Sequence, residues 1–469
     1  MTTNDVSYCR IPADAAERWK TVRDVVSGDQ AMRCGGYLPD LNAADKSEEN
    51  RARNVAYVER AVFYGATGRT LDGLVGLAFR RDPRSTLPPQ LEYLLKDADG
   101  RKNSIYQQSQ ASVGNVLEVG RHGLYVDFDE RLNRPVIKAY AAESIINWRF
   151  DNGQLSLVVL KECVEVPDDF GLTEVVQYRE LALDGGVFVC RVWQDNGAGL
   201  TMIEQTIPRS SASTFDFIPF QFIGSRNNDA DIDDSPLYDL AKLNVAHFRN
   251  SADYEDSVFY VGQAQPYIAG LTEEWRDHLE ADKTAYIGSR KAMLLPTGGS
   301  FGFAQPEPNT LVKEAMDQKE AQMVAMGARL LDQTRAAVTA TQNENDKEAS
   351  TSILSMCVSN VNEAYQSVIG WCGKYLNITV PADASYKINQ EYAKAKIDAQ
   401  VVTALVSAWQ SGAMAKPDLR AYLRAEGVIA AERTDEEIEA DLLAEGPKPG
   451  EMTDPNAETE PDPSGNVAT

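Results

Sequence analysis

The spacing of apolar residues changes twice along this 469-residue chain, and those two changes limit its fold more than any other feature. Near the N-terminus apolar residues recur at helical spacing, as in Trp19, Val22 and Val25. Across residues 123–223 they alternate with polar ones, which is typical of short strands. After Asp234 the helical spacing returns. The sequence therefore predicts an α+β fold in which a strand-rich meander or small barrel is inserted between helical parts.

The helical spacing predicts nine helices outside residues 261–309. They cover about 14–26, 48–80, 104–120, 235–260, 310–331, 352–376, 389–410, 416–426 and one more beginning at Thr434. Asp234 before Pro236 is expected to cap the helix at 235. Residues 261–309 are broken by Gly and Pro and predict short strands with one helix near 273–282.

Charge and composition exclude several classes of protein. The net charge is −24, from 46 basic and 70 acidic residues, which opposes tight non-specific DNA binding but does not exclude a protein past which DNA slides. There is no apolar run of about 18 residues and no export signal at the start. We therefore expect no membrane segment, synthesis in the cytoplasm and reduced cysteines, with Cys357 and Cys372 in the core.

No motif for nucleotide hydrolysis or nucleophilic catalysis is present. The sequence lacks a Walker P-loop and a G-x-S-x-G turn, and its three histidines lack metal-ligand spacing. The glycines of residues 65–70 fit a phosphate-binding loop or, in their helical context, close backbone packing. His247 is expected to be a structural histidine, and Arg60, Arg80 and Arg249 to form interface or surface ion pairs. No catalytic residue, metal site or cofactor is predicted.

Two acidic groups and one polar segment leave alternatives open. Asp127 and Asp129 suit paired acid chemistry, a divalent-ion site or, more simply, a solvated strand end. The Asp229–Asp234 loop suits a bound cation or a plain solvated loop. Residues 332–350 form a polar stretch between two strong helices, which is long for a connection inside a domain. Such a stretch is either functional or a floppy surface loop.

Four blocks of the sequence resemble a branch of the bacteriophage portal proteins that was long catalogued as a domain of unknown function. They are Tyr57–Pro83, Gly120–Phe128, Asp234–Tyr254 and Gly327–Leu331, the last followed by the long polar segment. The blocks occur in order, and the resemblance extends over roughly residues 10–430. It implies the portal fold, with a helical wing, stem and crown and an inserted strand-rich wing subdomain.

The resemblance also implies a division of the chain and a set of DNA-facing residues. The expected regions are a wing (1–234, with its strand-rich part at 123–223), a stem helix (235–260), a clip (261–309), a second stem helix (310–331), a tunnel loop (332–350), a wing helix (351–384), a crown (385–445) and a disordered acidic tail (446–469). The expected DNA-facing residues of the tunnel loop are Arg335, Thr339, Thr341, Gln342, Asn343 and Lys347.

Such a subunit would form a ring of about twelve copies around double-stranded DNA at one capsid vertex. Its expected partners are the terminase large subunit, a head-completion or adaptor protein and the major capsid protein, and its expected location is the virion. The alternatives are another virion structural protein, such as a capsid or adaptor subunit, and a metal-dependent enzyme using the Asp229–Asp234 loop. A ring with a central hole, a shell lattice or divalent-dependent cleavage would distinguish the three.

Overall fold

The computed structural model describes residues 5–195, 197, 199–210, 213–263, 265–282, 295–304, 310–331, 352–390, 405–409, 411, 413–425 and 433–444. The chain divides into two compact units, Met1–Tyr392 and Ala393–Thr469. Helices and antiparallel sheets alternate along the first unit, which confirms the α+β class.

Four helices form the N-terminal part: α1 (Ala13–Ser27), α2 (Asp29–Cys34), α3 (Glu48–Arg60) and α4 (Ala66–Ala78). The prediction of one helix over 48–80 is wrong, because the chain turns to extended backbone at Ala61. The Arg33 guanidinium donates to the carbonyls of Val58, Glu59 and Ala61 at 2.6–2.8 Å. These bonds satisfy carbonyl groups that the end of a helix leaves without partners.

Helix α5 (Ile105–Val119) begins and ends as the sequence indicates. The Ser104 hydroxyl accepts from the Gln107 amide, and the Gln107 side chain accepts from the Ser104 amide, which is a complete capping box. The helix ends at Gly120, which has φ 72°. Before it lie β1 (Arg84–Thr86) and a 3₁₀ helix at Pro89–Leu95.

The strand-rich region forms two main antiparallel sheets. One has the order β11-β2-β3, and the other is the five-stranded meander β4-β5-β6-β7-β8. Their strands are β2 (Arg121–Asp129), β3 (Arg134–Ala141), β4 (Ile145–Asp151), β5 (Gln154–Asp168), β6 (Gly171–Asp184), β7 (Val187–Asp195), β8 (Leu200–Thr206) and β11 (Phe220–Gly224), with the short pair β9 (Arg209–Ser210) and β10 (Ser213–Thr214) before β11.

A long helical pair follows the sheets. It consists of α6 (Tyr238–Gly262) and α8 (Leu311–Leu331), which pack together; between them lie β12 (Gln265–Ala269), α7 (Glu273–Asp282) and β13 (Ser300–Ala304). Helix α6 begins three residues later than predicted, and Asp234 does not cap it. The Asp234 carboxylate instead binds Arg226 at 2.8 Å, and its carbonyl accepts from the Ser225 hydroxyl at 2.9 Å.

Helix α9 (Ile353–Tyr375) is the centre of the main core. It packs against α5, β2, β3 and β11, and its apolar residues Leu354, Val358, Val361, Val368 and Ile369 are completely buried. Cys357 and Cys372 are buried in the same helix, as the sequence predicts. After α9, β14 (Ser385–Lys387) pairs with β1 and joins this part of the chain to the N-terminal region.

In the second unit, the described residues include two helices with defined bounds, α10 (Lys416–Ala425) and α11 (Asp435–Ala444). Arg420 of α10 is buried and binds Glu439 of α11 at 3.2 Å. Most of the predicted helix 389–410 and all of the predicted tail 446–469 lie outside the described residues. No helix in the described part combines the length and apolar composition needed to cross a bilayer.

Candidate functional site

The predicted tunnel loop and its six DNA-facing residues lie outside the described residues. The helices that bracket it, α8 and α9, contact each other within the first unit. The structure therefore describes the helices on either side of that segment and the elements packed against them. We call the region where the four sequence blocks contact one another the junction.

Asn244 links the first block to the third. This residue of α6 is fully buried, and its carbonyl oxygen accepts from the backbone amide and the hydroxyl of Thr67 at 3.2 and 3.0 Å. Its amide nitrogen donates to the Tyr64 carbonyl at 2.7 Å. Residues 65–70 thus begin α4 against α6, and a Cβ at Gly68 would lie 3.2 Å from the Val26 carbonyl. Of the two interpretations of these glycines, the geometry favours close packing.

Charged groups extend the contact between α3 and α6. The Tyr57 hydroxyl donates to Asp253 at 2.7 Å, and Arg60 binds the mostly buried Asp256 at 3.1 Å. The Arg60 guanidinium also lies 3.7 Å from the centre of the Phe259 ring. Burial and the neighbouring Asp253 carboxylate raise the pKa of Tyr57 well above its usual value. These contacts fix the turn at Ala61 over the middle of α6.

Gly120 and Arg121 link the second block to the third. A Cβ on Gly120 would lie only 2.6 Å from the Asp234 carbonyl, so the two segments approach at backbone distance. The buried Arg121 donates to the carbonyls of Ala230 and Asp231 at 2.8 and 3.0 Å. Burial lowers its pKa to about 10 despite the nearby aspartates.

Aromatic rings enclose the same arginine. The Arg121 guanidinium lies 4.3 Å from the Trp148 ring centre and 4.8 Å from that of Phe222. The next residue, His122, is also buried, and burial lowers its pKa to about 3. Its side chain is therefore neutral at pH 7, and the segment is held by packing and carbonyl contacts.

The fourth block brings α8 to α4 and α6. A Cβ on Gly327 would lie 3.4 Å from the Thr70 side chain, so the two helices approach closely at this point. His247 of α6 is buried, and its Nε2 lies 3.3 Å from the Glu320 carboxylate of α8. Its place in the core agrees with a structural histidine.

The acidic candidates do not form a metal site in the described residues, where no group of three or more potential ligands converges. Asp127 binds Lys138 at 2.6 Å and accepts from the Tyr125 hydroxyl, so it is an ion-paired residue and none of the predicted alternatives. Asp129 accepts from the Leu132 amide in the following turn. In the acidic loop, Asp233 accepts from the Arg226 amide at 2.7 Å.

The second notable feature is a two-stranded projection that we call the arm, residues 163–176. Strand β5 pairs with β4 only as far as Leu160, and β6 pairs with β7 only from Gln177 onward. Between these limits, and among the residues that the structure describes, β5 and β6 pair only with each other. Phe170 at the tip is fully exposed, and Leu172 is 64% exposed.

The root of the arm is held by a buried polar cluster. Glu162 accepts from Arg179 Nε at 2.8 Å, from the Tyr140 hydroxyl at 2.5 Å and from Gln177 Nε2 at 2.6 Å. These bonds tie β5 and β6 to β3. Glu162 and Gln177 directly adjoin the two ends of the arm, so the arm projects from a base that these hydrogen bonds hold in place.

Sequence reasoning did not identify Asn244, Arg121 or the arm. Asn244 has a signal in the sequence, because it is a polar residue on the apolar face that Leu240 and Phe248 define in α6. Arg121 and the arm have none, since their roles depend on which strands become neighbours. Of the predicted ion-pairing arginines, Arg60 binds Asp256, and Arg249 donates to the Tyr37 carbonyl at 2.8 Å.

Comparisons with known proteins give one family match. Residues 236–376, from the start of α6 to the end of α9, match the family described as "Domain of unknown function (DUF4055)". A search of curated proteins returned no match.

Solved structures with matching chains include those of gene transfer agent (GTA) particles. A chain from the virion of the native particle has 14% identity and a TM-score of 0.40, and a chain from the neck of the empty particle, computed with C6 symmetry, has 15% and 0.40. In both cases 79% of this chain and 92% of the other are covered.

Proposed function

We propose that this chain is a portal subunit of a phage or phage-like particle. About twelve copies form a ring at one capsid vertex, and DNA passes through it during packaging and ejection. The subunit docks the terminase large subunit during packaging and head-completion proteins afterwards. It is a structural protein and carries out no chemical step.

The observation that carries this proposal is the convergence of the four sequence blocks. Each block resembles part of the portal family, and in the fold the four lie against one another through Asn244, Gly120 and Gly327. Blocks far apart in the sequence are expected to meet when they form the framework of a common fold. The family match over residues 236–376 covers the fourth block, all but the first two residues of the third, and the proposed tunnel loop.

The charge of the proposed tunnel loop suits a surface that DNA passes. Residues 332–350 contain two cations, Arg335 and Lys347, and four acidic residues, so the segment has a net charge of −2 and no excess of cations. A chain with a net charge of −24 otherwise repels phosphates. Weak contacts of this kind let DNA slide, whereas many unbalanced cations would hold it through counterion release.

The mass and shape of the purified protein test the proposal directly. Light scattering should give about twelve times the chain mass of 51.6 kDa, and negative-stain images should show a central hole. A shell lattice would favour a capsid subunit instead. A stable monomer that cleaves DNA with a divalent cation would favour the enzyme.

The double variant Arg335→Glu/Lys347→Glu tests the role of the tunnel loop. We expect rings of normal mass but a reduced yield of DNA-filled heads, because the loop then repels the phosphates. Arg101→Glu, at an exposed position outside the loop, is the control. A normal yield of filled heads from the double variant would refute this role.

A further inference from the structure

The arm has an unfavourable arrangement of charge for an isolated hairpin. Glu165 lies directly opposite Glu174 in the β5–β6 register, and like charges in this position destabilise a strand pair. Within the described residues neither carboxylate has an ion-pair partner. A two-stranded hairpin without further neighbours is itself only marginally stable. A cation from another molecule would remove the repulsion.

Apolar residues flank this pair of glutamates on the same face of the arm. The register places Cys163 opposite Val176 on one side and Pro167 opposite Leu172 on the other. Leu172 is 64% and Val176 39% exposed. The face therefore consists of two carboxylates between apolar groups, and the partner that fits it carries arginines beside exposed apolar side chains.

Residues 51–84 of the same chain have that composition. They contain seven arginines and three acidic residues, a net charge of +4, whereas the arm contains four acidic residues and no Lys or Arg. Arg51, Arg80 and Arg84 are exposed, and none has an ion pair among the described residues. Val55, one helical turn after Arg51, is 56% exposed.

We infer that the arm of one copy docks on the arginine-rich segment of residues 51–84 of the next copy, whose exposed residues we call the acceptor surface. One of its exposed arginines bridges Glu165 and Glu174, and the apolar groups of the arm pack beside it. Such an interface is head-to-tail, because each copy uses two different surfaces, and repetition of it closes a ring. The inference rests on the proposed ring and adds the contact that joins its subunits.

A charge-exchange experiment tests this contact. One variant, Glu165→Arg/Glu174→Arg, reverses the charge of the arm face. The other, Arg51→Glu/Arg80→Glu/Arg84→Glu, reverses the charge of the acceptor surface. Each alone places like charges together, so the concentration needed for ring formation should rise at least about tenfold. An equimolar mixture should recover rings in which the two variants alternate, because every arm then meets an acceptor of opposite charge.

A shortened arm provides a second test that does not depend on charge. Replacement of residues 164–175 by Asn-Gly leaves the pairing of β6 with β7, which begins at Gln177, intact. Unchanged melting temperatures of the unassembled chains, measured below the concentration at which rings form, will show that each variant is folded. The shortened-arm variant should also fail to form rings, and mixing it with the variant of reversed acceptor charge should not restore them.

The outcomes separate this inference from the proposed function. If the wild-type chain forms rings and the reversed-arm or shortened-arm variant forms them equally well, the arm contact is refuted while the portal proposal stands. Failure of the mixture to recover rings would also overturn the pairing with residues 51–84. If the wild-type chain never forms a ring, both proposals fall.

Discussion

The junction and the arm differ in what surrounds their polar groups. In the junction, Asn244 and Arg121 are buried and donate to backbone carbonyls of segments far away in the sequence. In the arm, Glu165 and Glu174 face each other without a cation in the described part of the chain. The first region is complete within one subunit, whereas the second has the features of half an interface. Stability should therefore depend on the junction and assembly on the arm.

Gly120→Ala should have the largest effect on stability. A Cβ there would lie 2.6 Å from the Asp234 carbonyl, and the residue has φ 72°. We expect a loss of about 3 kcal/mol or more in the free energy of unfolding, measured by urea titration with tryptophan fluorescence. Gly153→Ala is the matched control, because Gly153 has φ 80° but no atom within 4 Å of the added carbon. Equal losses would show that backbone strain, and not the close approach, matters at Gly120.

Asn244→Ala should have an effect on stability nearly as large as that of Gly120→Ala. The substitution removes three hydrogen bonds and leaves the buried amide and hydroxyl of Thr67 without that acceptor. We expect a loss of about 3 kcal/mol in the same titration. Lys242→Ala, on the exposed side of α6, should change stability by less than about 0.5 kcal/mol. Similar losses from both variants would contradict the role of Asn244 as a link.

The buried His122 predicts a dependence of stability on pH. Its pKa is about 3 in the folded protein and about 6.5 when unfolded. The unfolded state therefore binds more protons between these values, and stability falls as the pH falls below about 6.5. From pH 6.5 to 5 the loss should reach about 2 kcal/mol. His122→Phe should lose this part of the pH dependence, and an unchanged pH profile would show that the pKa of the ring is the same in the folded and unfolded states.

Variants of the arm should have the smallest effect on the stability of the subunit. Phe170→Ser and Leu172→Ser replace exposed side chains, so the free energy of unfolding should change by less than about 0.5 kcal/mol. Differential scanning calorimetry on the unassembled chain measures this change. A large loss would mean that the arm packs within its own subunit, and the contrast with the junction would disappear.

Local signals in the sequence predicted much of the architecture. The helical spacing of α9 identified its buried face, and Ser104 and Gly120 marked the ends of α5. The prediction failed at 48–80, where helical residues continue through Ala61 but the chain turns. Arg33 and Ser251, both remote in sequence, stabilise that turn. The start of α6 was misplaced for the same reason, because Asp234 binds Arg226 instead of capping the helix.

The sequence by itself determined the fold class, the apolar faces of the helices and the resemblance of four blocks to portal proteins, because spacing and motifs are local properties. Only the tertiary structure decided that these blocks meet at Asn244, Gly120 and Gly327, and that β5 and β6 extend beyond their neighbours. Strand register and helix contacts bring together residues more than a hundred positions apart. Their energies depend on geometry that no single segment encodes.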